Sequence, residues 1–298
     1  MLIGRTVRRW CAGLGLFWAL SIAGWSSAHA VELPGAIVGA DWLARNLGAP
    51  GLVVVDARLA EDYELGHIAG AVNIPYSKLF ADGYLIPGLG EIRELISAAG
   101  IGNHSKVVVY DDGEFIWAAR AYWLLETFGV EDVALLDVGF GNWAAGVLPE
   151  SFDAPVVKRS SFVPSIDHRR LQTKLGTLVA IDDPRRVIID GRSAAEYRGE
   201  ESLASRYGHV PSAVHYSWSN NYVRTPSGNR MRPLNELAPL YGALERDKPV
   251  IVYCNGGAHS ALNYIVLQAL GYQVSVYDGS WFEWGNDGTL PIVNPSAR

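Results

Sequence analysis

The stretch "LVVVDARLAEDYELGHIAGAVNIPY" at residues 52–76 decides the fold, because the chain contains it twice. The second occurrence is split into "RVIIDGRSAAEY" (186–197) and "YGHVPSAVHYSW" (207–218). Asp56, Arg58 and Tyr63 recur 134 positions later as Asp190, Arg192 and Tyr197, whereas Gly66 and His67 recur 142 positions later as Gly208 and His209. The second copy therefore carries eight extra residues between Tyr197 and Gly208. Further along, "KVVVYD" (106–111) returns as "PVIVYC" (249–254) and "AYWLLETFG" (121–129) as "NYIVLQALG" (263–271). "ALLDVGFGNW" (134–143) returns as "SVYDGSWFEW" (275–284). Internal similarity carried through several motifs in one order marks a duplicated structural unit.

Each copy opens on a helical segment, "GADWLARNLG" or "RRLQTKLGTLV". Short β-branched runs then alternate with amphipathic segments. That alternation specifies an α/β fold, a parallel sheet covered by helices on both faces. The expected organisation is an N-terminal domain over 31–150, a linker over 151–165 and a C-terminal domain over 166–298. The linker region is polar and proline-bearing. A chain of 298 residues, 19% charged and 49% hydrophobic, suits two domains of ordinary size.

Residues 1–30 differ from the rest. Arg5, Arg8 and Arg9 precede "CAGLGLFWALSIAGW" and "SSAHA". A basic start, a short apolar run and an Ala-x-Ala ending read as a signal peptide cleaved after Ala30, which implies a periplasmic or secreted protein. The run is shorter than the about 20 apolar residues of a membrane span, so no stable membrane insertion is expected after cleavage. Losing three arginines and no acid takes the formal charge from −6 to −9. That balance argues against nucleic acid or anionic lipid as a partner. Cleavage also removes Cys11 and leaves Cys254 as the single thiol.

Cys254 sits in "YCNGGAHSALN" (253–263), after an apolar strand and before a helix. A sulfur placed there faces unpaired helix N–H groups and the positive end of the helix dipole. Gly256 and Gly257 allow the backbone to curl into an anion nest. Cys254 is thus the candidate nucleophile, as a thiolate with a lowered pKa. Asn255, Gly256, Gly257, Ala258, His259 and Ser260 form the candidate anion-binding loop. His259 is suited to a pH-dependent role, and Ser260 to capping the helix. Copy one places Asp111 at the position of Cys254, and a carboxylate is no sulfur nucleophile. His67 and His209, Arg58 and Arg192, and Asp56 and Asp190 occur in both copies, which points to architectural roles. No metal or organic cofactor is needed for this chemistry.

With its motifs in order and in duplicate, the chain resembles the tandem-domain rhodanese family of sulfurtransferases, of the thiosulfate and 3-mercaptopyruvate type. The resemblance covers nearly all of the chain after residue 30. It implies two rhodanese-like domains, the first catalytically inactive. It also implies that Cys254 takes sulfane sulfur from a small anionic donor as a persulfide, then passes it to cyanide or a thiol, including a protein thiol. Two features depart from the family pattern. Asn255 and Gly256 stand where thiosulfate users carry basic residues and mercaptopyruvate users carry Gly-Ser or Gly-Thr. Glu196 stands where mercaptopyruvate users carry an arginine. Substrate cations are then expected from the inserted loop, first Arg206 and next Arg198, with Arg224, Arg230 and Arg232 as further candidates. Two alternatives remain open. One is a non-catalytic sulfur carrier or thiol-sensing protein. The other is a cysteine phosphatase or arsenate reductase, which needs an arginine six places after the cysteine, where Ser260 stands.

Overall fold

The computed structural model describes Met1 and residues 31–297, so the signal-peptide reading and Cys11 lie outside the described residues. In the first domain the elements run β1 (Ile37–Val38), α1 (Ala40–Asn46), β2 (Leu52–Asp56), α2 (Ala60–Glu64), β3 (His67–Ile68) and β4 (Val72–Asn73). They continue with α3 (Leu89–Ala98), β5 (Lys106–Tyr110), α4 (Ile116–Thr127), β6 (Asp132–Leu136), α5 (Phe140–Ala145) and β7 (Glu150–Ser151). The second domain runs β8 (Leu171–Gln172), α6 (Lys174–Ala180), β9 (Val187–Asp190), α7 (Ala194–Arg198) and β10 (Val214–His215). A hairpin follows, β11 (Tyr222–Thr225) and β12 (Gly228–Met231), and then α8 (Leu234–Leu240). The domain ends with β13 (Val250–Tyr253), α9 (Ala258–Ala269), β14 (Val274–Tyr277) and α10 (Ser280–Trp284).

Each domain is built on a five-stranded sheet, ordered β1-β6-β5-β2-β4 and β8-β14-β13-β9-β10, with every pairing parallel. The two orders are the same path through equivalent strands, as the duplication requires. Valine- and isoleucine-rich β5 and β13 sit at the centre because β-branched chains suit a sheet buried on both faces. A second buried network repeats with them. Arg58 grips the Asp56 carboxylate and the Gly66 carbonyl, and the Tyr110 hydroxyl donates to Asp56. Arg192, Asp190, Gly208 and Tyr253 repeat that clamp. His67 and His209 stack on Tyr63 and Tyr197, with ring centroids 3.8 and 3.9 Å apart. The same contacts in both halves leave these residues to structure.

The domains meet along α4 and α9, helices apolar around most of their circumference and buried accordingly. A charged core crosses this seam. Arg120 of α4 pairs with Asp278 at 2.7 Å, and the second Asp278 oxygen accepts from the Ile86 N–H at 2.8 Å. Glu126 accepts from Tyr264 (2.7 Å) and Arg170 (2.6 Å). Hairpin β11–β12 reaches back to the first domain, where the Met231 N–H donates to the Asp137 carbonyl and Arg230 pairs with the Asp137 carboxylate. The expected linker is not a free tether. Ser151 pairs with His67 in a β-ladder, Phe162 is buried, and the Ser160 and Ser165 N–H groups donate to first-domain carbonyls.

Candidate active site

Cys254 follows the last residue of β13, at the carboxyl edge of the sheet, where α/β folds bind ligands. Its carbonyl accepts from the Trp281 N–H and that of Asn255 from the Phe282 N–H, both at 2.9 Å. The Cys254 N–H donates to Ser280 Oγ at 3.2 Å. The start of α10 therefore fixes the loop from one side. Gly257 turns the chain into α9 at φ +80°, a conformation costly for any residue with a Cβ. Its N–H points at Cys254 Sγ from 3.1 Å, and the Ser260 hydroxyl lies 3.5 Å from the same sulfur. Gly256 is needed for a different reason, since a Cβ there would come within 3.1 Å of both Phe282 and the Tyr84 Cβ of the first domain. Asn255 is clamped by its Nδ2, which donates to Glu196 Oε1 at 2.7 Å. The other Glu196 oxygen closes a capping box with Ser193.

Cys254 has 0% relative exposure. Burial alone would push its thiol up, but the His259 side chain beside it, followed by Ser260, outweighs burial and holds it down to about 7. Burial likewise opposes a charge on His259. Contact with Cys254, and the carboxylates of Glu196 and Glu114, reverse that and raise its pKa. The pair therefore favours thiolate and imidazolium together.

Copy one shows what the loop does when an anion is part of the protein. Asp111 Oδ1 accepts the N–H groups of Gly113 and Phe115 at 2.8 and 3.0 Å. Its Oδ2 accepts those of Trp117 and Ala118 at 3.2 and 3.1 Å. Burial and the neighbouring Asp112 charge still push this carboxyl up to about 7. Here Phe115 takes the left-handed turn that Gly257 takes in copy two. Trp117 then corresponds to His259 and Tyr76 to Trp218, each 142 positions apart. Tyr76 stacks on Trp117 with ring centroids 4.0 Å apart, and Trp218 packs on His259 at 4.2 Å.

Between the domains, Cys254 opens on a cavity of about 420 Å³. Tyr76, Phe80, Ile116 and Trp117 line it from the first domain, and Phe282, Leu203 and the cysteine loop from the second. Among the described residues that line it there is no lysine or arginine, and no group of three or more potential metal ligands occurs among the described residues.

Comparison with known proteins agrees with this geometry. The rhodanese-like domain model matches twice, over residues 39–146 and 177–287. The chain belongs to the rhodanese family. A thiosulfate sulfurtransferase of Azotobacter vinelandii is 35% identical over 88% of this chain and 97% of its own. A 3-mercaptopyruvate sulfurtransferase of Escherichia coli K12 is 30% identical over 86% of this chain and 96% of its own. The crystal structure of the E. coli 3-mercaptopyruvate sulfotransferase SseA aligns with a TM-score of 0.72 at 28% identity, over 83% of this chain and 99% of that one.

Within this rhodanese-family frame the structure brings Cys254, Asn255, Gly256, Ala258 and His259 to the cavity, with Gly257 and Ser260 packed behind. It does not bring the inserted arginines. The Arg206 guanidinium donates to the carbonyls of Trp284 (2.7 Å), Leu290 (2.7 Å), Gly285 and Asp287, which ties down the turn after α10. Arg198 is engaged by Glu200 at 2.7 Å on the surface. Arg230 and Arg232 are paired with Asp137 and Glu236. The inserted loop instead delivers Leu203, 69% exposed, to the cavity rim. Ser260 is not a cap either, because it lies in the first turn of α9 with its hydroxyl on the sulfur. The first-domain walls went unread in the sequence. The 142-residue spacing of Trp117 from His259 is the signal that could have found them.

Proposed function

We propose that this rhodanese-family enzyme moves a sulfane sulfur from a donor of the thiosulfate or 3-mercaptopyruvate type, through a Cys254 persulfide, to a thiophilic acceptor. One observation carries the proposal. A buried cysteine sulfur, held down to about 7, occupies the loop that in copy one binds a carboxylate with four backbone N–H groups. Such a nest offers the same N–H groups to the outer sulfur of a persulfide anion. In the first half-reaction the Cys254 thiolate attacks the outer sulfur of the donor, and the donor remnant leaves as an anion. In the second the acceptor attacks that sulfur and Cys254 leaves as thiolate, so ping-pong kinetics follow. The phosphatase reading is disfavoured by Ser260 at the sixth position and by a cavity without an arginine among its described lining residues.

The test is intact mass spectrometry after incubation with thiosulfate or 3-mercaptopyruvate, followed by cyanide. The expected result is a gain of one sulfur atom, mapped to Cys254 and lost on the chase. Cys254→Ser should gain none. No gain with any donor would leave the thiol-sensing alternative in its place. We also propose export with cleavage after Ala30, on the pattern of residues 1–30. N-terminal sequencing of protein recovered from outside the cytoplasm tests it, and Val31 is the expected first residue.

A further inference from the structure

His259 is the one side chain able to carry positive charge among the described residues that line the cavity. An anionic donor brings negative charge to a cysteine that is itself a thiolate, so the charge on His259 has to persist through the attack. The Cys254 thiolate supports it only at the start. As that thiolate attacks the outer sulfur of thiosulfate, the bond between this sulfur and the sulfite group breaks. Sulfite leaves with the electron pair, and the negative charge of Cys254 moves one atom outward onto the persulfide. His259 exchanges no proton in this step. A counter-charge that stays in place throughout has to come from outside the reacting atoms.

Glu196 has the geometry for it. It stands half-buried in the first turn of α7 and does not line the cavity. Both of its oxygens are engaged. Oε1 accepts from Asn255 Nδ2 at 2.7 Å, and Oε2 accepts from the Ser193 N–H at 3.1 Å. The carboxylate is thereby fixed to the residue next to the nucleophile. Copy one serves as a control. Asp62 and Asp112 stand there at the positions of Glu196 and Asn255, 134 and 143 residues earlier. Asp62 is exposed, and Asp112 Oδ1 accepts from the Glu114 N–H at 3.0 Å. The clamp is present in the copy with the thiol and the imidazole, and two acids replace it in the copy with neither. The charged groups that act on His259 come from three elements. Burial opposes its charge, while Cys254 on the loop, then Glu196 of α7 and Glu114 of the first-domain loop before α4, favour it. Trp218 packs on the ring, with centroids 4.2 Å apart. Glu114 is exposed, so water and salt screen it more than Glu196.

We propose that Glu196 is a positioning residue for sulfur transfer, which ties Asn255 beside Cys254 and keeps His259 positively charged while an anionic donor reacts. The inference rests on the sulfurtransferase reading and adds to it a residue outside the cavity.

The experiment follows loading of Cys254 by thiosulfate across pH with rapid-quench mass spectrometry. Glu196→Gln keeps an acceptor for the Asn255 amide and removes the charge. Its loading rate should lie within about twofold of wild type near pH 6 and about threefold or more below it near pH 8, because the imidazolium is lost earlier. Alkylation of Cys254 by iodoacetamide, which is uncharged, should be no slower than in wild type near pH 8. A loss in both reactions at every pH would mean that Glu196 only shapes the loop, and would overturn the inference. Glu196→Asp keeps the charge on a shorter arm and should hold the wild-type alkaline limb. A limb that moves equally in the two variants would also overturn it. A second measurement does not depend on loading. The imidazole resonance of His259, assigned by its absence in His259→Asn, should titrate at lower pH in Glu196→Gln than in wild type. An unchanged midpoint would overturn the inference while leaving the persulfide intact. A lowered midpoint in an enzyme that takes up no sulfur would instead count against the sulfurtransferase reading and not against the hold of Glu196 on His259.

Discussion

Replacing His259 with asparagine should uncouple the nucleophile from neutral pH. His259 is the largest influence that lowers the Cys254 thiol, against a burial penalty that raises it. With the thiol held at about 7, roughly half of Cys254 is thiolate at pH 7. Without the imidazolium, burial prevails and the thiol should titrate at or above its ordinary value, leaving roughly one part in a hundred ionised at pH 7. The scarcer thiolate is also the better nucleophile. A Brønsted slope of about 0.4–0.5 over two pH units returns about sixfold to tenfold. The net expectation is alkylation about fivefold to eightfold slower than wild type at pH 7 and about sixfold to tenfold faster above pH 9. Iodoacetamide rates across pH, with ultraviolet thiolate absorbance as a second readout, check both limbs. The crossing of the two profiles is the signature. A uniform loss at every pH would mean that His259 only shapes the loop, and an unchanged midpoint would refute the electrostatic argument altogether.

Three other outcomes follow from the same geometry. Arg120→Met leaves Asp278 buried without its cation and should cost about 3–5 kcal/mol in urea unfolding, most of it recovered in Arg120→Met/Asp278→Leu. Gly257→Ala forces a Cβ into a left-handed conformation, at about 1–2 kcal/mol, and to within 2.7 Å of Arg120 Nη1. It should keep a native circular dichroism spectrum while failing to load sulfur on Cys254. Asp111→Cys should not take up sulfur at neutral pH, because Trp117 stands where the second copy has His259. Peptide mapping should find sulfur at position 111 only when Trp117→His is added.

How much of this was legible in the sequence depended on whether the determinant was local. The strand–loop–helix that carries Cys254 could be read because β-branched "PVIVY" and apolar "SALNYIVLQALG" each announce their own period. The sheets followed from the duplication, since matched motifs must occupy matched strands. Arg206 could not be read, because a guanidinium that satisfies four carbonyls looks the same in sequence as one poised for an anion. The hairpin at 222–231 did leave a trace, a Pro-Ser-Gly turn after the β-prone "YVRT". Its target in the first domain left none.

The cysteine loop of the second copy is incomplete without the first. Trp117 and Phe80 supply cavity wall, Tyr84 lies against Gly256, and Arg120 neutralises the aspartate next to the turn that holds Cys254. Copy one keeps the same strand–loop–helix but carries the Asp111 carboxyl where copy two has its thiol. The Asp111 side chain fills the nest and satisfies four N–H groups. Copy two leaves comparable donors around a sulfur that engages one N–H and one hydroxyl. The unspent capacity at Cys254, measured against the spent capacity at Asp111, is what the second copy has available for a transferred sulfur.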